Sequence, residues 1–408
     1  MIRSTCAMAL LLLSACDDGG TQRADAAPDV TADAVSDTTA DAAPDAAPDT
    51  ATDLGPDAAP RAAVTGDGPF RVGYRTLEIT YTPETFDTPR TLEISLWYPT
   101  DATTGKSAAY GLFVDRDDVL ADPPPAGTEP YPVLFFSHGN GGMPQQNWSM
   151  SERAASHGWL VVAPGHTGNT IFDTDKSLAP AMFMLRPMDV SATLDAMLAL
   201  PSTDPLAGRL SAQIALAGHS FGGYTTLAIG GATLSTEPAD TFCATDTSGA
   251  CDLWTEPRRQ LTKAGFHDDR FKALIGMAPS TTGGVLTDGA TAPISAPTLI
   301  LTGAMDQLTP DSTDGDPLWQ GLSGPQHLRV SFPTAGHYTF SNGCELGIGF
   351  GDGCGDGFID PERALPLISA LTLAWLRQHL QDDPAELARL IAELPVTDQL
   401  EITSSEAR

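Results

Sequence analysis

Apolar and polar residues alternate in two segments of the chain, at 74–81 and 91–98. A period of two is typical of strands with one buried and one exposed face, so we expect these segments to form an antiparallel pair. Further along, the pattern changes to short, continuous apolar runs, which favour strands buried on both faces. These runs span residues 133–136, 159–163, 214–217, 273–277, 298–301 and 327–332.

Segments with a helical pattern separate these runs. Pro187 precedes one of them, and we expect a helix to begin there because the fixed φ of proline suits the first helical turn. Strands that alternate with helices predict a mostly parallel central sheet with helices on both faces. The pattern therefore indicates an α/β fold with an antiparallel N-terminal strand pair. The predicted helices lie near residues 147–157, 188–200, 221–231 and 364–380.

Two segments, 164–187 and 232–270, do not fit this alternation. In sheets of this kind, ligands bind at the carboxyl ends of the strands, which makes both segments candidate pocket walls. The run of methionine, phenylalanine and leucine at 181–185 fits ordinary core packing equally well. The pattern alone leaves both interpretations open.

The first 16 residues predict an export signal, because a basic residue precedes an apolar run that is too short to span a bilayer. Leu13-Ser-Ala-Cys16 resembles a bacterial lipobox, which implies cleavage before Cys16 and lipid attachment to its sulfur. The alternative is an ordinary signal peptide with an incidental cysteine. From Asp25 to Asp57, aspartate recurs at every fourth position among prolines and alanines, which predicts an extended, disordered spacer.

The chain of 408 residues has a formal net charge of −30. This charge argues against nucleic acid and anionic membrane surfaces as partners, so we expect membrane contact through the lipid anchor only. Two of the six cysteines lie in the leader. The other four form two close pairs, which predict disulfides in an exported protein although the sequence leaves the pairing open. The pairs are Cys243 with Cys251 and Cys344 with Cys354.

The candidate chemistry centres on Gly218-His-Ser-Phe-Gly222, which lies between a predicted strand and a predicted helix. A serine in this position, with glycine two residues away on each side, is typical of a nucleophile elbow. The tight turn exposes the hydroxyl of Ser220. The backbone N–H of Phe221, at the start of the helix, then points to the place where an oxyanion would form.

A serine nucleophile needs a base and a carboxylate that orients the base. Asp306 directly follows the strand at 298–301 and is the favoured acid. His337 follows the strand at 327–332 and is the predicted base. The order serine, aspartate, histidine is that of the α/β-hydrolases. Three further aspartates of the acid loop are alternatives to Asp306, namely Asp311, Asp314 and Asp316.

The second donor of an oxyanion hole should follow an earlier strand, where the chain reads Ser-His-Gly-Asn-Gly-Gly at 137–142. Its glycines let the backbone approach a substrate, and the N–H of Asn140 is the best candidate, with Gly141 next. We expect His138 to organise this loop and His219 to be a packing neighbour. His166 also follows a strand and is a candidate for the pocket rim.

Several motifs together resemble bacterial α/β-hydrolases grouped as predicted dienelactone hydrolases, and also platelet-activating-factor acetylhydrolase. The resemblance covers about residues 70 to 380 and implies an α/β-hydrolase fold. It also implies hydrolysis of short or oxidised acyl esters, with the amides of Asn140 and Phe221 as the oxyanion hole. Dienelactone hydrolases use a cysteine nucleophile, whereas this chain has Ser220. The motifs begin at Ser137, Ser156, Arg186, Gly218 and Ala335.

The sequence therefore predicts a serine hydrolase of carboxylic esters that needs no metal or organic cofactor. An amidase or peptidase with the same triad, and a non-catalytic surface-binding lipoprotein, are the alternatives.

The segment 352–360 partly resembles a calcium loop, but a glycine-rich turn held by a disulfide is the favoured interpretation. We expect a monomer, anchored at the periplasmic face or the cell surface. The predicted parts are a signal at 1–16, a spacer at 17–67, a catalytic domain at 68–383 and a helical tail at 384–408.

Overall fold

A computed structural model describes residues 61–111, 114–348, 351–397 and 399–405. Within these residues, one eleven-stranded mixed sheet has the order β11-β10-β9-β8-β7-β5-β6-β2-β1-β4-β3. The strands are β1 Arg71–Tyr81, β2 Arg90–Thr100, β3 Ser107–Tyr110, β4 Val114–Ala121, β5 Tyr131–Ser137, β6 Leu160–Pro164, β7 Leu210–His219, β8 Phe271–Met277, β9 Thr298–Gly303, β10 His327–Phe332 and β11 Glu401–Ser404.

The six strands from β6 to β10 in the middle of the sheet run parallel. Strands β1 and β2 form the predicted antiparallel pair, and β2 joins it to β6. The chain passes from β5 to β6 on one side and then to β7 on the other side of β5. Ligands of such sheets bind at this change of direction, beside the carboxyl ends of the strands.

Helices cover both faces of the sheet, which confirms the predicted fold class. Successive residues of β5 show why: Leu134 and Phe136 belong to one buried apolar cluster, and Val133 and Phe135 to the other. Helices α1, α7 and α8 pack on the first face, and α2 and α3 on the second. The helices are α1 Trp148–Ser156, α2 Met182–Leu198, α3 Phe221–Ile229, α4 Glu237–Cys243, α5 Glu256–Ala264, α6 Gly315–Gly321, α7 Pro361–Gln381 and α8 Ala385–Thr397.

The prediction that a helix begins at Pro187 is wrong. Helix α2 begins at Met182, and Pro187 lies inside it. Proline has no N–H and cannot bond the carbonyl four residues earlier, which belongs to Phe183. The hydroxyl of Tyr224 on α3 donates to that carbonyl over 2.9 Å instead. A partner from the next helix thus satisfies the carbonyl that proline leaves unbonded.

The segments set aside as candidate pocket walls are partly helical. Residues 181–185 are buried at the start of α2, as core packing requires. The segment 232–270 contains α4 and α5, and the helical tail ends in β11, which pairs with β10.

Disulfides join Cys243 to Cys251 and Cys344 to Cys354, as the sequence predicts. Such bonds are typical of proteins outside the reducing cytosol. The predicted signal, Cys16 and most of the spacer lie outside the described residues. In the part of the chain that the structure describes, no helix has both the length and the apolar character needed to span a membrane.

Candidate active site

Ser220 occupies the sharp turn between β7 and α3 with φ 58° and ψ −118°. Residues other than glycine rarely adopt such angles, and those that do are concentrated at functional sites. The flanking glycines are required by space. A Cβ atom at Gly222 would lie 1.8 Å from the carbonyl oxygen of Ser137, and one at Gly218 would lie 2.1 Å from that of Gly222. The local sequence therefore builds the predicted elbow.

Asp306 and His337 form a buried pair at the same edge of the sheet. The Nδ1 atom of His337 lies 2.9 Å from Oδ2 of Asp306. The N–H groups of Leu308 and Thr309 donate to Oδ1 of the same carboxylate over 2.9 and 2.7 Å. Burial opposes ionisation of Asp306, but its bonds with His337 and Thr309 outweigh burial and lower its pKa. The ionised carboxylate accepts a hydrogen bond from the Nδ1–H group, which leaves Nε2 of His337 unprotonated in the neutral ring.

The competing aspartates of the acid loop have other partners. Asp314 accepts from the N–H and hydroxyl of Thr281 over 2.7 and 2.8 Å. Asp311 and Asp316 form ion pairs with Arg329 on β10. The structure thus places only Asp306, among the four, against His337.

Among the described hydrogen bonds, none joins the Ser220 hydroxyl to the ring of His337. Catalytic contacts of this kind are often long in unliganded proteins and shorten when substrate binds. His219 instead connects Gln146, in the segment after β5, to the loop that carries His337. Its Nδ1 accepts from the side-chain amide of Gln146 over 2.6 Å, so Nε2 carries the proton and donates to the carbonyl of His337 over 2.9 Å. Burial, reinforced by His337, lowers the pKa of His219 to about 3.

The predicted donor loop after β5 lies against the elbow. A Cβ atom at Gly139 would be 3.4 Å from Cβ of Ser220. Gln146 accepts from the N–H of Gly139 over 2.8 Å and so holds the loop. Among the described backbone hydrogen bonds, none uses the N–H of Asn140, Gly141 or Phe221. These three N–H groups therefore have no described backbone acceptor.

His138 belongs to the donor loop, His166 follows β6, and both side chains are completely buried. His166 is therefore not at the pocket rim. Its Nδ1 donates to Asp189 over 2.9 Å, and its Nε2 accepts from the Ser137 hydroxyl over 2.9 Å. His138 accepts from the N–H of His166 and donates to the carbonyl of Gly139 over 2.7 Å. Burial, with the charge of Arg186, lowers the pKa of both histidines well below the usual range.

Asp352 binds backbone N–H groups of both the acid loop and the base loop. The sequence indicated it only as part of the segment that resembles a calcium loop. Its carboxylate accepts from the N–H of His337 over 2.9 Å and from the N–H of Gln307 over 3.2 Å. Its carbonyl accepts from the N–H of Tyr338 over 2.9 Å. The disulfide between Cys344 and Cys354 closes the loop that carries Asp352. Asp352 thus bonds the backbone of both the acid loop and the base loop.

The sheet order, the elbow and the acid–base pair together define an α/β-hydrolase fold. Residues 116–243 match the family model of chlorophyllase, a stretch that contains Ser220 and ends before Asp306. Among solved structures, a ferulic acid esterase from Streptomyces cinnamoneus is similar, with a TM-score of 0.56 and 20% identity. That similarity covers 82% of this chain and 96% of the esterase. No curated protein matches the chain.

Proposed function

We propose that this protein is a serine hydrolase that cleaves carboxylic esters through an acyl-serine intermediate. The observation that carries the proposal is Ser220, held in a strained turn beside unused backbone amides and at the sheet edge that also holds the Asp306–His337 pair. The similarity to a protein described as a ferulic acid esterase, and the chlorophyllase family match, support ester hydrolysis.

In the proposed reaction, the hydroxyl of Ser220 attacks the ester carbonyl while Nε2 of His337 takes its proton. Asp306 holds the ring with the proton on Nδ1 and stabilises the imidazolium that forms. The amides of Phe221 and Asn140 bind the tetrahedral oxyanion. His337 then protonates the leaving alcohol and activates the water that releases the acid.

A fluorophosphonate probe tests the nucleophile directly. The probe should label the folded protein at Ser220 and should not label Ser220→Ala. An esterase and an amidase use the same triad, so the labelling experiment does not distinguish them. The ratio of the rates on matched p-nitrophenyl esters and p-nitroanilides does. A folded protein that neither labels nor hydrolyses these esters would contradict the proposal and favour a binding function.

We also propose that the substrate carries a large apolar group. Five of the six exposed large apolar side chains of the described residues lie in loops at the carboxyl edge of the sheet. The N–H of Ile171 donates to the carbonyl of Gly142 over 2.8 Å, which ties this part of the surface to the donor loop. Exposed apolar side chains grouped around a site commonly mark where a ligand binds. The five are Ile171, Phe172, Met305, Leu308 and Ile348.

Phe172→Ala should raise KM for p-nitrophenyl octanoate about fivefold and leave KM for the acetate nearly unchanged. Phe172 is 62% exposed beside the donor loop, and losing its contact with an acyl chain corresponds to about 1 kcal/mol. Leu198→Ala is the matched control, because Leu198 is 52% exposed at the far end of α2. Equal effects of the two variants, or none on octanoate, would contradict this assignment.

The sequence supports a further proposal, that the mature protein is lipid-anchored through Cys16 on the outer side of a membrane. The two disulfides agree with export. Cells given a radiolabelled fatty acid should incorporate it into the wild-type protein and not into Cys16→Ser. Equal labelling of both proteins, or of neither, would exclude this anchor. Relative rates on acetyl esters and on dienelactones distinguish an acetylhydrolase from a dienelactone hydrolase.

A further inference from the structure

Arg186 is completely buried in the apolar N-terminal half of α2. Burial of a guanidinium group is costly, and it lowers the pKa of Arg186 to about 9. The nearby carboxylate of Asp189 is already bonded to Arg90, Tyr81 and His166. A buried charge of this kind is tolerated only when it is paired or hydrogen-bonded.

All of the groups that accept hydrogen bonds from Arg186 are neutral, and they lie on three separate elements. Nη2 donates to the carbonyl of His138 and to the Ser137 hydroxyl, both at the end of β5. Nη1 donates to Oδ1 of Asn169 in the loop after β6 over 2.6 Å. Nε donates to the Thr225 hydroxyl on α3 over 3.2 Å. The planar fork of arginine allows these directions at once, which the ammonium group of lysine does not.

These contacts reach both halves of the proposed oxyanion hole. The carbonyl of His138 is two residues before Asn140, and Asn169 passes the contact on by donating to Oδ1 of Asn140 over 2.8 Å. On the other side, the guanidinium carbon lies 4.5 Å from the ring centroid of Phe221. Arg186 therefore touches Phe221 directly and reaches Asn140 through Asn169 and through the neighbouring carbonyl of His138.

We propose that Arg186 is a positioning residue that fixes the amides of Asn140 and Phe221 relative to each other. This inference rests on the proposed function, because it assigns Arg186 to the oxyanion hole of that reaction. An oxyanion hole acts through donors that are already in place when charge develops. A loop displaced from the elbow would still bind the ester and would stabilise its transition state poorly.

The test compares Arg186→Lys and Arg186→Met with the wild-type protein on p-nitrophenyl butyrate. We expect kcat to fall about 100-fold in both variants, as when one oxyanion donor is lost, with KM changed less than twofold. The matched control is Arg90→Lys. Arg90 is equally a buried arginine and binds Asp189 in two places, over 2.7 and 3.0 Å, but it does not contact the donor loop. This control should lose stability while its kcat changes less than twofold.

Wild-type kcat in either folded Arg186 variant would overturn the inference, as would an equal loss of kcat in Arg90→Lys. If the Arg186 variants do not fold, Asn169→Ala removes only the relay to Asn140 and should lower kcat about tenfold, and an unchanged kcat overturns the inference. Amide hydrogen exchange at Gly139 and Gly142, whose N–H groups are bonded to Gln146 and to the carbonyl of Gly139, provides a readout that needs no activity. Exchange should accelerate in the Arg186 variants even if the wild-type protein hydrolyses no ester, which would refute only the proposed function.

Discussion

Replacing Ser220 with alanine should lower kcat for p-nitrophenyl butyrate by about 10⁵- to 10⁶-fold, because the residues of a serine triad act as a unit. The fold should be unaffected. No described hydrogen bond uses the Ser220 hydroxyl, and alanine meets the same backbone restriction at φ 58° as serine does. Steady-state kinetics together with the urea midpoint of unfolding measure both parts of this prediction.

Ser280→Ala is the matched control for this substitution. Ser280 lies next to the elbow, its N–H donates to the carbonyl of Ser220 over 3.2 Å, and its hydroxyl accepts from the N–H of Thr282 over 2.9 Å. Removing this hydroxyl should change kcat less than about threefold, because no step of the reaction uses it. If Ser220→Ala kept more than about 1% of the wild-type rate, another group would have to be the nucleophile.

The sequence predicts those parts of the site that depend on local pattern. Glycines at 218 and 222 predict the elbow, because no larger residue fits there. Asp306 and His337 can be predicted because each follows a buried strand. The central strands can also be predicted from local pattern, because each is a continuous apolar run. By contrast β4, with the sequence Val-Asp-Arg-Asp-Asp-Val-Leu-Ala, has mainly polar residues towards its start and gives no such signal.

The supporting contacts could not be predicted, because each joins residues that are distant in sequence. Helix α2 continues through Pro187 only because Tyr224 on another helix bonds the carbonyl of Phe183. Arg186 is a single charged residue in an apolar run, which could have indicated a special role. Its hydrogen-bond acceptors could not be predicted, because they lie 17 to 49 residues away in the sequence. Asp352 likewise reaches His337 across a loop closed by a disulfide.

The folded protein should lose stability steeply as the pH falls from 7 to 5. His138, His166 and His219 are buried, and burial lowers the pKa of each below its value of about 6.5 in the unfolded chain. Arg186 faces the first two and opposes their protonation further, and His337 does the same for His219. The unfolded chain therefore binds more protons in this range, so the free energy of unfolding falls with pH. The stability that these histidines contribute is complete only well above pH 6.5 and is lost progressively as the pH falls through and below that value.

Three such histidines together should remove about 5 kcal/mol between pH 7 and pH 5, which is comparable to the whole stability of many domains. Urea unfolding at several pH values measures the loss, and its slope gives the number of protons taken up on unfolding. His379→Gln calibrates that number, because His379 on α7 is remote from the site and burial lowers its pKa to about 4. This variant should reduce the uptake by about one proton. The carboxyls of Glu152, Asp311 and Asp352 have raised pKa values and act in the opposite direction, mainly at lower pH. An uptake below one proton between pH 6.5 and pH 5 would mean that the buried histidines gain protons in the folded protein, and the neutral hydrogen-bond network behind the donor loop would then be wrong.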